Sequence, residues 1–139
     1  MSKDKIKLSI CIPTYNRPRA FKRLLSHLLP QIDNRIEIVV RDDSPNDDSK
    51  KIFHSLVNNT KINYKYFHDS KIGLDAANLF LLENASGDYI WWFGDDDELL
   101  DGGIKAVLNL IDKYNDLNFI WANFALSDKS NLAVDRSNG

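Results

Sequence analysis

The sequence predicts an α/β fold in which a mainly parallel sheet carries helices on both faces. Short apolar runs rich in Ile and Val alternate with segments whose apolar residues recur at helical spacing. The alternation follows the order β-α-β-α-β-α-β-α-β throughout, and parallel strands need helical crossovers of this kind. Several runs are apolar at nearly every position, which is typical of strands buried on both faces.

Five segments are predicted to be strands, and each stops where polar or turn-forming residues begin. The first run stops at Pro13, which cannot donate to a central hydrogen-bond ladder. The third alternates apolar and polar residues, which predicts a strand with one wetter face. The predicted strands are residues 8–12, 36–40, 62–67, 89–93 and 119–124.

Four segments between these strands are predicted to be helices, at residues 21–28, 52–56, 73–85 and 104–111. The first carries the core-facing stripe at i, i+3, i+4 and i+7, made of Phe21, Leu24, Leu25 and Leu28. The third is expected to carry four apolar residues on one side: Leu74, Ala77, Leu81 and Leu82.

Length and composition restrict the class of protein. A chain of 139 residues is large enough for one domain with a real core and too short for two. Hydrophobic residues make up 43% and charged residues 27%, as in globular proteins. With 18 basic and 20 acidic residues the formal net charge is −2, so there is no basic excess to hold a nucleic-acid backbone. Nucleic acid is therefore not an expected partner.

The chain is predicted to be cytoplasmic. Its first residues lack the apolar stretch of a signal peptide, and no run reaches the roughly 18 apolar residues of a transmembrane segment. The single cysteine, Cys11, lies in an apolar run and cannot form an internal disulfide. A core position in a reducing compartment is the expected role for such a cysteine.

The most informative segment is the acidic run that follows the apolar residues 89–93. Asp95, Asp96 and Asp97 are adjacent, and neighbouring carboxylates repel one another. A divalent cation such as Mg²⁺ or Mn²⁺ would relieve the repulsion, because hard cations prefer carboxylate oxygens and can also hold substrate phosphates. The alternative is a solvated acidic turn after an edge strand.

Two other polar clusters are expected at the same edge of the sheet. Residues 15–17 follow the first predicted strand, and Asp42 and Asp43 follow the second. Ligands of open parallel sheets bind beyond the carboxyl ends of the strands, so these clusters and the acidic run should converge on one rim. The sequence therefore predicts a single pocket lined by Tyr15, Asp43 and Asp96.

Three segments together resemble family-2 glycosyltransferases with the GT-A fold. Residues 8–17, 37–44 and 87–97 are similar to that family's first strand and loop, its paired aspartates and the approach to its metal-binding DxD motif. The resemblance implies a Rossmann-like, nucleotide-diphospho-sugar-binding domain over residues 1–126, followed by a polar tail at 127–139, where a truncation is expected. The Gly-Asp-Asp-Asp form of the motif most resembles bacterial O-antigen and capsule enzymes such as abequosyltransferases.

The resemblance assigns nucleotide-binding roles in the first two loops to Pro13, Tyr15, Arg17 and Asp43. Tyr15 would stack on the nucleobase, and the alternative is a half-buried loop tyrosine. Asp43 would accept a hydrogen bond from a base N–H, which suits uracil or thymine. Alternatively, one of the paired aspartates caps the next helix or forms an Asx turn, and both interpretations hold if each residue takes one role.

The resemblance further implies a Mn²⁺ or Mg²⁺ ion between the acidic run and the diphosphate. Asp96 is ranked first as metal ligand, followed by Asp97 and Asp95, and Asp95 is also assigned to nucleotide binding. In an extended segment Asp95 and Asp97 would share a face while Asp96 points away, and this alternative stays open. Asp75 is assigned to the lining of the sugar and diphosphate, although it also suits the first turn of a helix as a favourable charge.

An enzyme of this family would transfer a sugar from a nucleotide-diphosphate sugar to an acceptor hydroxyl, with inversion at the anomeric carbon. The implied acceptor is a saccharide or lipid-linked saccharide of bacterial surface polysaccharide, with peripheral association of the full-length protein at the inner membrane. The family's catalytic base is expected beyond residue 139, which is consistent with a fragment that binds donor without transferring sugar. A non-catalytic metal- or nucleotide-binding module and a receiver- or Toprim-type Mg²⁺-dependent phosphoryl-transfer domain are the other classes left open.

Overall fold

The centre of the protein is a sheet of four parallel strands in the order β3-β2-β1-β4. The computed structural model describes residues 5–122 and the backbone of residues 126–128 and 131–133. The strands are β1 (Leu8–Thr14), β2 (Ile36–Asp42), β3 (Asn63–His68) and β4 (Tyr89–Trp92). Leu8 lies opposite both Ile36 and Tyr89, so β1, β2 and β4 start level and their carboxyl ends share one edge.

Among the described residues, four α-helices pack on these strands. They are α1 (Pro18–Leu28), α2 (Asp48–Val57), α3 (Leu74–Asn84) and α4 (Gly103–Lys113), and a 3₁₀ turn at Leu29–Gln31 extends α1. The alternation confirms the predicted α/β class and the four predicted helices. Within the described residues, no helix has the length and apolar character needed to cross a membrane.

The side chains of β1 and β2 divide the core into two layers. Ile10 and Ile38 belong to the layer packed against α1, α2 and α4, whereas Cys11 and Val39 pack with Leu81 of α3. Helices therefore cover both faces of the sheet, as predicted. Burial raises the pKa of the Cys11 thiol to about 12, which agrees with a core role for this cysteine.

A buried polar cluster holds the chain that leads into β4. Glu37 of β2 accepts hydrogen bonds from Ser9 Oγ at 2.7 Å and from the backbone N–H of Ser86 at 2.6 Å. Gly87 passes so close to β1 that a Cβ at this position would lie 2.7 Å from the backbone nitrogen of Ser9. Because β4 begins two residues later, this cluster fixes the strand that presents the acidic run.

The predicted burial of α3 is partly wrong. Ala77 and Leu81 are buried, but Leu74 and Leu82 are exposed. In the described part of the chain, α3 is the one helix on its face of the sheet, so no neighbouring helix covers its flanks. A helix that contacts a sheet alone buries a narrow stripe rather than a wide apolar face.

The predicted strand at 119–124 is wrong over its described part, because residues 119–122 form no strand. A strand needs a neighbour to pair its backbone N–H and C=O groups. The described parallel sheet ends at β4, and Phe119 and Trp121 are instead 74% and 73% exposed. The last two residues of that prediction, 123 and 124, lie outside the described residues.

One further pair of strands follows in the chain. Strands β5 (Leu126–Asp128) and β6 (Asn131–Ala133) pair antiparallel to each other as a separate sheet. This pair begins where the sequence predicts the donor-binding domain to end. The boundary between residues 126 and 127 stays a prediction.

Candidate functional site

A cleft of about 460 Å³ opens at the carboxyl ends of β1, β2 and β4. The loop after β3 and the first turn of α3 complete its wall. Tyr15, Asp43 and Asp96 lie in this one cleft, as the sequence predicts, while their roles stay predictions. The lining residues are Pro13, Thr14, Tyr15, Arg17, Arg41, Asp43, Lys71, Gly73, Leu74, Ala77, Gly94, Asp95 and Asp96.

Asp95 is the most enclosed acid of the run, with 7% of its surface exposed. Its Oδ2 accepts a hydrogen bond from Thr14 Oγ1 at 3.0 Å, so the end of β1 holds this carboxylate in place. Burial raises the pKa of Asp95, while the hydrogen bond from Thr14 and the charge of Arg17 act in the opposite direction. The ionised form of Asp95 therefore depends on polar and positively charged neighbours.

Asp96 faces both the cleft and solvent, with 60% of its side chain exposed. Arg17 Nη1 lies 3.4 Å from Asp96 Oδ2 and 3.4 Å from Asp95 Oδ1. A single positively charged group thus reaches both carboxylates. The two acids are close enough for one cation to contact them together.

Asp97 closes a turn and does not line the cleft. Its Oδ2 accepts the backbone N–H of Gly94 at 2.7 Å, and its own N–H donates to the Gly94 carbonyl at 3.1 Å. Because residues 95 and 96 form this turn, the alternation of an extended segment does not apply. The alternative of an extended segment, in which Asp95 and Asp97 share a face while Asp96 points away, therefore does not apply to this turn, and the metal-ligand role of Asp97 stays a prediction. Asp95 and Asp96 line the cleft together.

Asp42, the first of the paired aspartates after β2, is fully buried. Its Oδ1 accepts the backbone N–H of Ser44 at 2.9 Å, and its Oδ2 accepts the Tyr66 hydroxyl at 2.6 Å. Burial, followed by the contact with Asp42, raises the pKa of Tyr66, which keeps its hydroxyl protonated as a donor. Asp42 thus forms the Asx turn that the sequence allowed for one member of the pair.

Asp43 faces the cleft and ties the loop after β3 to the end of β2. Its Oδ1 accepts from Arg41 Nε at 2.6 Å, and its Oδ2 accepts the backbone N–H of Ile72 at 3.1 Å. Arg41 Nη2 in turn donates to the Ser70 carbonyl at 2.9 Å. Each carboxylate oxygen has two acceptor positions, so Asp43 keeps capacity for a hydrogen bond from a ligand.

Tyr15 presents its ring to the cleft from the loop after β1. The residue is 43% exposed, and Lys71 Nζ lies 4.2 Å from the centre of the ring. The neighbouring Asn16 has a positive φ of 53°, which Asn tolerates better than most residues, and its N–H donates to Ser44 Oγ at 2.8 Å. These contacts fix the turn that carries Tyr15.

Three polar residues of the cleft were not singled out from the sequence: Thr14, Arg41 and Lys71. Arg41 had a usable signal, because a cation inside an apolar strand needs a buried partner and Asp43 lies two residues on. Lys71 had none, since a loop brings it to Tyr15 from a distant part of the chain. Asp75 lies in the exposed first turn of α3, outside the lining residues, so its role in donor binding stays a prediction.

Asp95 and Asp96 are the residues of the cleft that could hold a metal ion. Across residues 5–122, no group of three His, Cys, Asp or Glu side chains could do so. Mg²⁺ commonly takes one or two carboxylates and completes its shell with substrate phosphates and water. The pair fits such an ion, because both donors are hard oxygens and one guanidinium already reaches both.

A parallel α/β sheet with an aromatic loop and an acidic turn beyond its strand ends defines a Rossmann-like domain of the GT-A kind. The chain belongs to glycosyl transferase family 2, whose model matches residues 9–137. The match includes nearly all of the three segments on which the resemblance depends. It also excludes the receiver- and Toprim-type alternatives.

Two of the curated relatives that match most of this chain have named activities. The GalNAc(5)-diNAcBac-PP-undecaprenol beta-1,3-glucosyltransferase of Campylobacter jejuni is 30% identical over 133 residues, which are 94% of this chain and 42% of the relative. The abequosyltransferase RfbV of Salmonella typhimurium is 32% identical over 117 residues, which are 79% of this chain and 34% of the relative. The chain thus spans less than half the length of either protein.

A solved structure shows the same fold with a donor in place. TarS 1-349 of S. aureus, crystallised in complex with UDP-GlcNAc, superimposes with a TM-score of 0.70 at 26% sequence identity. The match covers 79% of this chain and 33% of the TarS chain. It confirms the predicted GT-A type of fold.

Proposed function

We propose that this chain is the donor-binding part of a glycosyltransferase that moves a sugar from a nucleotide-diphosphate sugar to a saccharide or lipid-linked saccharide in bacterial surface polysaccharide synthesis. The observation that carries the proposal is the single cleft that combines Tyr15, Asp43 and the pair Asp95 and Asp96. These side chains suit a flat base, a base edge and a metal-bound diphosphate. The family supports the reaction class, and the name of the C. jejuni relative supports a lipid-linked acceptor.

In the proposed complex the nucleobase stacks on Tyr15. Lys71 Nζ lies over one face of the ring and also lines the cleft, so a base that stacks on this face would displace the ammonium group. Pro13 lies in the same wall, and Asp43 accepts a hydrogen bond from a base N–H. A carboxylate at this edge suits uracil or thymine, whose N3 carries a hydrogen.

Asp96 and Asp95 hold a Mn²⁺ or Mg²⁺ ion in the proposed complex, with Asp96 as the leading ligand. A metal ion bound there supplies Lewis-acid stabilisation for the charge that develops on the departing diphosphate. Thr14 orients Asp95 through its 3.0 Å hydrogen bond, and Asp97 keeps the turn closed through Gly94. Asp75 is proposed for the sugar side of the cleft.

The catalytic base is proposed to lie beyond residue 139 in the full-length protein. It would take the proton of the acceptor hydroxyl as that oxygen attacks the anomeric carbon from the face opposite the diphosphate, which gives inversion. The proposed setting is the cytoplasm, with the full-length protein associated peripherally with the inner membrane. The comparison with the C. jejuni relative supports this proposal, because the match covers only 42% of that protein and the rest of it has no counterpart in this chain.

A thermal-shift screen of UDP-, dTDP-, GDP- and CDP-sugars, with and without Mn²⁺, tests the proposal. At least one nucleotide class should raise the unfolding temperature, and the rise should be larger with Mn²⁺. Binding at a hundredfold excess over Kd stabilises a protein by about 2.7 kcal/mol, which such a screen detects readily. The absence of a shift with every donor would contradict the proposed function.

The second candidate is a module that binds metal and nucleotide without catalysis. The 42% coverage of the C. jejuni relative favours this alternative for the chain considered alone. Release of nucleoside diphosphate by the full-length protein in the presence of saccharide acceptors separates the two. Donor binding without such release by the full-length protein would support the non-catalytic module.

We expect Asp43→Asn to weaken the binding of uridine and thymidine nucleotides more than the binding of cytidine nucleotides. The amide oxygen can still accept from N3–H, so the loss should be partial and reflect the weaker hydrogen bond of a neutral acceptor. Isothermal titration with UDP and CDP measures the difference. The amide cannot accept from both Arg41 and Ile72, so equal losses for UDP and CDP would assign Asp43 to holding the loop instead.

A further inference from the structure

Arg17 lies between the two carboxylates that the cleft presents. Its Nη1 atom is 3.4 Å from Asp95 Oδ1 and 3.4 Å from Asp96 Oδ2. Within the described residues, the Arg17 side chain makes no other hydrogen bond or ion pair. The two acids alone therefore determine where the guanidinium lies.

The acids need a positive charge at this place. Asp95 is buried and Asp96 is its neighbour in the chain, so two like charges meet where one of them has lost most of its water. An opposite charge about 4 Å away is worth about fivefold in an equilibrium constant even at the dielectric constant of water. Arg17 supplies that charge from within the protein.

The guanidinium is held loosely enough to leave. The side chain is 58% exposed, and both contacts are longer than the roughly 2.7–2.9 Å of a strong charge-assisted hydrogen bond. Arg41 provides the contrast, because its side chain is buried and its Nε lies 2.6 Å from Asp43 Oδ1. The Arg17 carbonyl accepts the N–H of Phe21 in the first turn of α1. The side chain can therefore rotate while the backbone stays fixed.

We propose that Arg17 is a tethered counter-ion for Asp95 and Asp96 in the metal-free protein, and that its side chain turns to the donor's diphosphate when a divalent cation binds the two acids. This inference rests on the proposed function. The exchange keeps the charge of the site balanced, because the two positive charges of Mn²⁺ cancel the two negative charges of a nucleotide-diphosphate sugar. Counted over Arg17, the two aspartates, the metal ion and the donor, the net charge is therefore the same before and after the exchange.

The exchange couples the binding of metal and nucleotide. Arg17 opposes a cation that arrives alone, because the two compete for the same carboxylates and repel each other. It favours a cation that arrives with a diphosphate, because the released guanidinium then has a phosphate partner. Coupling of this kind is reciprocal, so the nucleotide strengthens metal binding by the factor by which the metal strengthens nucleotide binding.

The test is Arg17→Gln, which removes the charge and keeps a polar side chain of similar length. Electron paramagnetic resonance of free Mn²⁺ measures metal binding alone. Calorimetry at saturating Mn²⁺ measures the binding of UDP, dTDP, GDP or CDP, whichever binds the unmodified protein most tightly. We expect Mn²⁺ alone to bind about fivefold more tightly. The nucleotide should bind roughly tenfold more weakly, since a charge-assisted hydrogen bond is lost.

Opposite signs distinguish this role from a structural one, which would weaken both affinities. Arg23→Gln is the matched control, because Arg23 lies in α1, which begins directly after Arg17, pairs with Glu98 at 3.3 Å and does not line the cleft. Both affinities should stay close to those of the unmodified protein in this control. Arg17→Lys restores the charge and should move both affinities back towards the unmodified values.

Mn²⁺ binding that is unchanged or weaker in Arg17→Gln, in a variant that melts at the usual temperature, would overturn the inference. If Arg17→Gln is destabilised, Arg17→Lys becomes the test. Failure of Arg17→Lys to bring both affinities back towards those of the unmodified protein would likewise overturn the inference. Failure of the unmodified protein to bind any of the four nucleotides with Mn²⁺ would overturn the proposed function. Failure of the proposed function is seen in the unmodified protein, whereas failure of the inference is seen in the Arg17 variants, so the two outcomes are distinguishable.

Discussion

Asp96→Asn should abolish the Mn²⁺-dependent part of nucleotide-diphosphate binding while the fold stays intact. A neutral amide is a poor replacement for a carboxylate on a hard cation, and Asp95 would be left as the single acidic ligand from the cleft. Removing a group that merely orients a metal ligand costs about 10–100-fold in affinity, so removing a ligand should cost roughly a hundredfold or more. Titration calorimetry of the nucleoside diphosphate with and without Mn²⁺ measures the loss.

The control for this variant is Asp88→Asn. Asp88 precedes β4, at the end of the strand opposite to the cleft, and pairs with Lys5 at 3.0 Å. It changes the same charge on the same segment and should leave nucleotide binding unaltered. In EDTA, Asp96→Asn should melt at the same temperature as the unmodified protein or slightly higher, because one of two neighbouring negative charges is gone. Unchanged titrations for the Asn variants of Asp95, Asp96 and Asp97 would show the acidic run to be a solvated turn.

The regular elements of this fold could be predicted because each has a local cause. The stripe from Phe21 to Leu28 fits one face of a helix, and all four of its apolar residues are buried in α1. The segment at 119–124 is also apolar, but a strand needs a neighbouring strand to pair with. A local sequence pattern does not show whether such a neighbour is present. Leu82 was misplaced for a related reason, since its exposure depends on which elements flank α3.

The place of the site could also be predicted, whereas the arrangement of its side chains could not. Parallel topology alone brings the ends of β1, β2 and β4 to one edge, so the meeting of Tyr15, Asp43 and Asp96 follows from the order of elements. Which acids of the run face the cleft depends on the turn that Asp97 closes with Gly94. Because of this turn the segment is not extended, and the turn could not be predicted from the periodicity of the sequence.

The partners of the predicted site residues show the same limit. Asp43 was expected to accept a hydrogen bond from a base N–H, and its carboxylate already receives hydrogen bonds from Arg41 and Ile72. The contact with Ile72 depends on the path of the loop after β3, which brings a residue 29 positions away to the end of β2. The sequence therefore cannot distinguish a nucleotide-binding role of Asp43 from a role in holding this loop. Nucleotide titration can distinguish them.

Tyr15→Ala should weaken the binding of every nucleotide by roughly 1–3 kcal/mol, because any base offers a π face to an aromatic ring. The ring is 43% exposed, so the variant should unfold at nearly the same temperature as the unmodified protein in the absence of ligand. Tyr15→Phe is the matched control. Within the described residues the Tyr15 hydroxyl makes no hydrogen bond, so the ring alone should sustain binding.

Comparison of Tyr15→Ala with Asp43→Asn then separates stacking from recognition of the base edge. Both variants are titrated with UDP and CDP at saturating Mn²⁺. Stacking does not distinguish pyrimidines, so Tyr15→Ala should lose a similar factor for both, and a loss confined to UDP would contradict the stacking role. Tight binding of CDP by the unmodified protein would mean that Asp43 does not read N3–H, because N3 of cytosine carries no hydrogen. Asp43 would then accept a hydrogen bond from the 4-amino group of cytosine, and Asp43→Asn should weaken the binding of CDP rather than that of UDP.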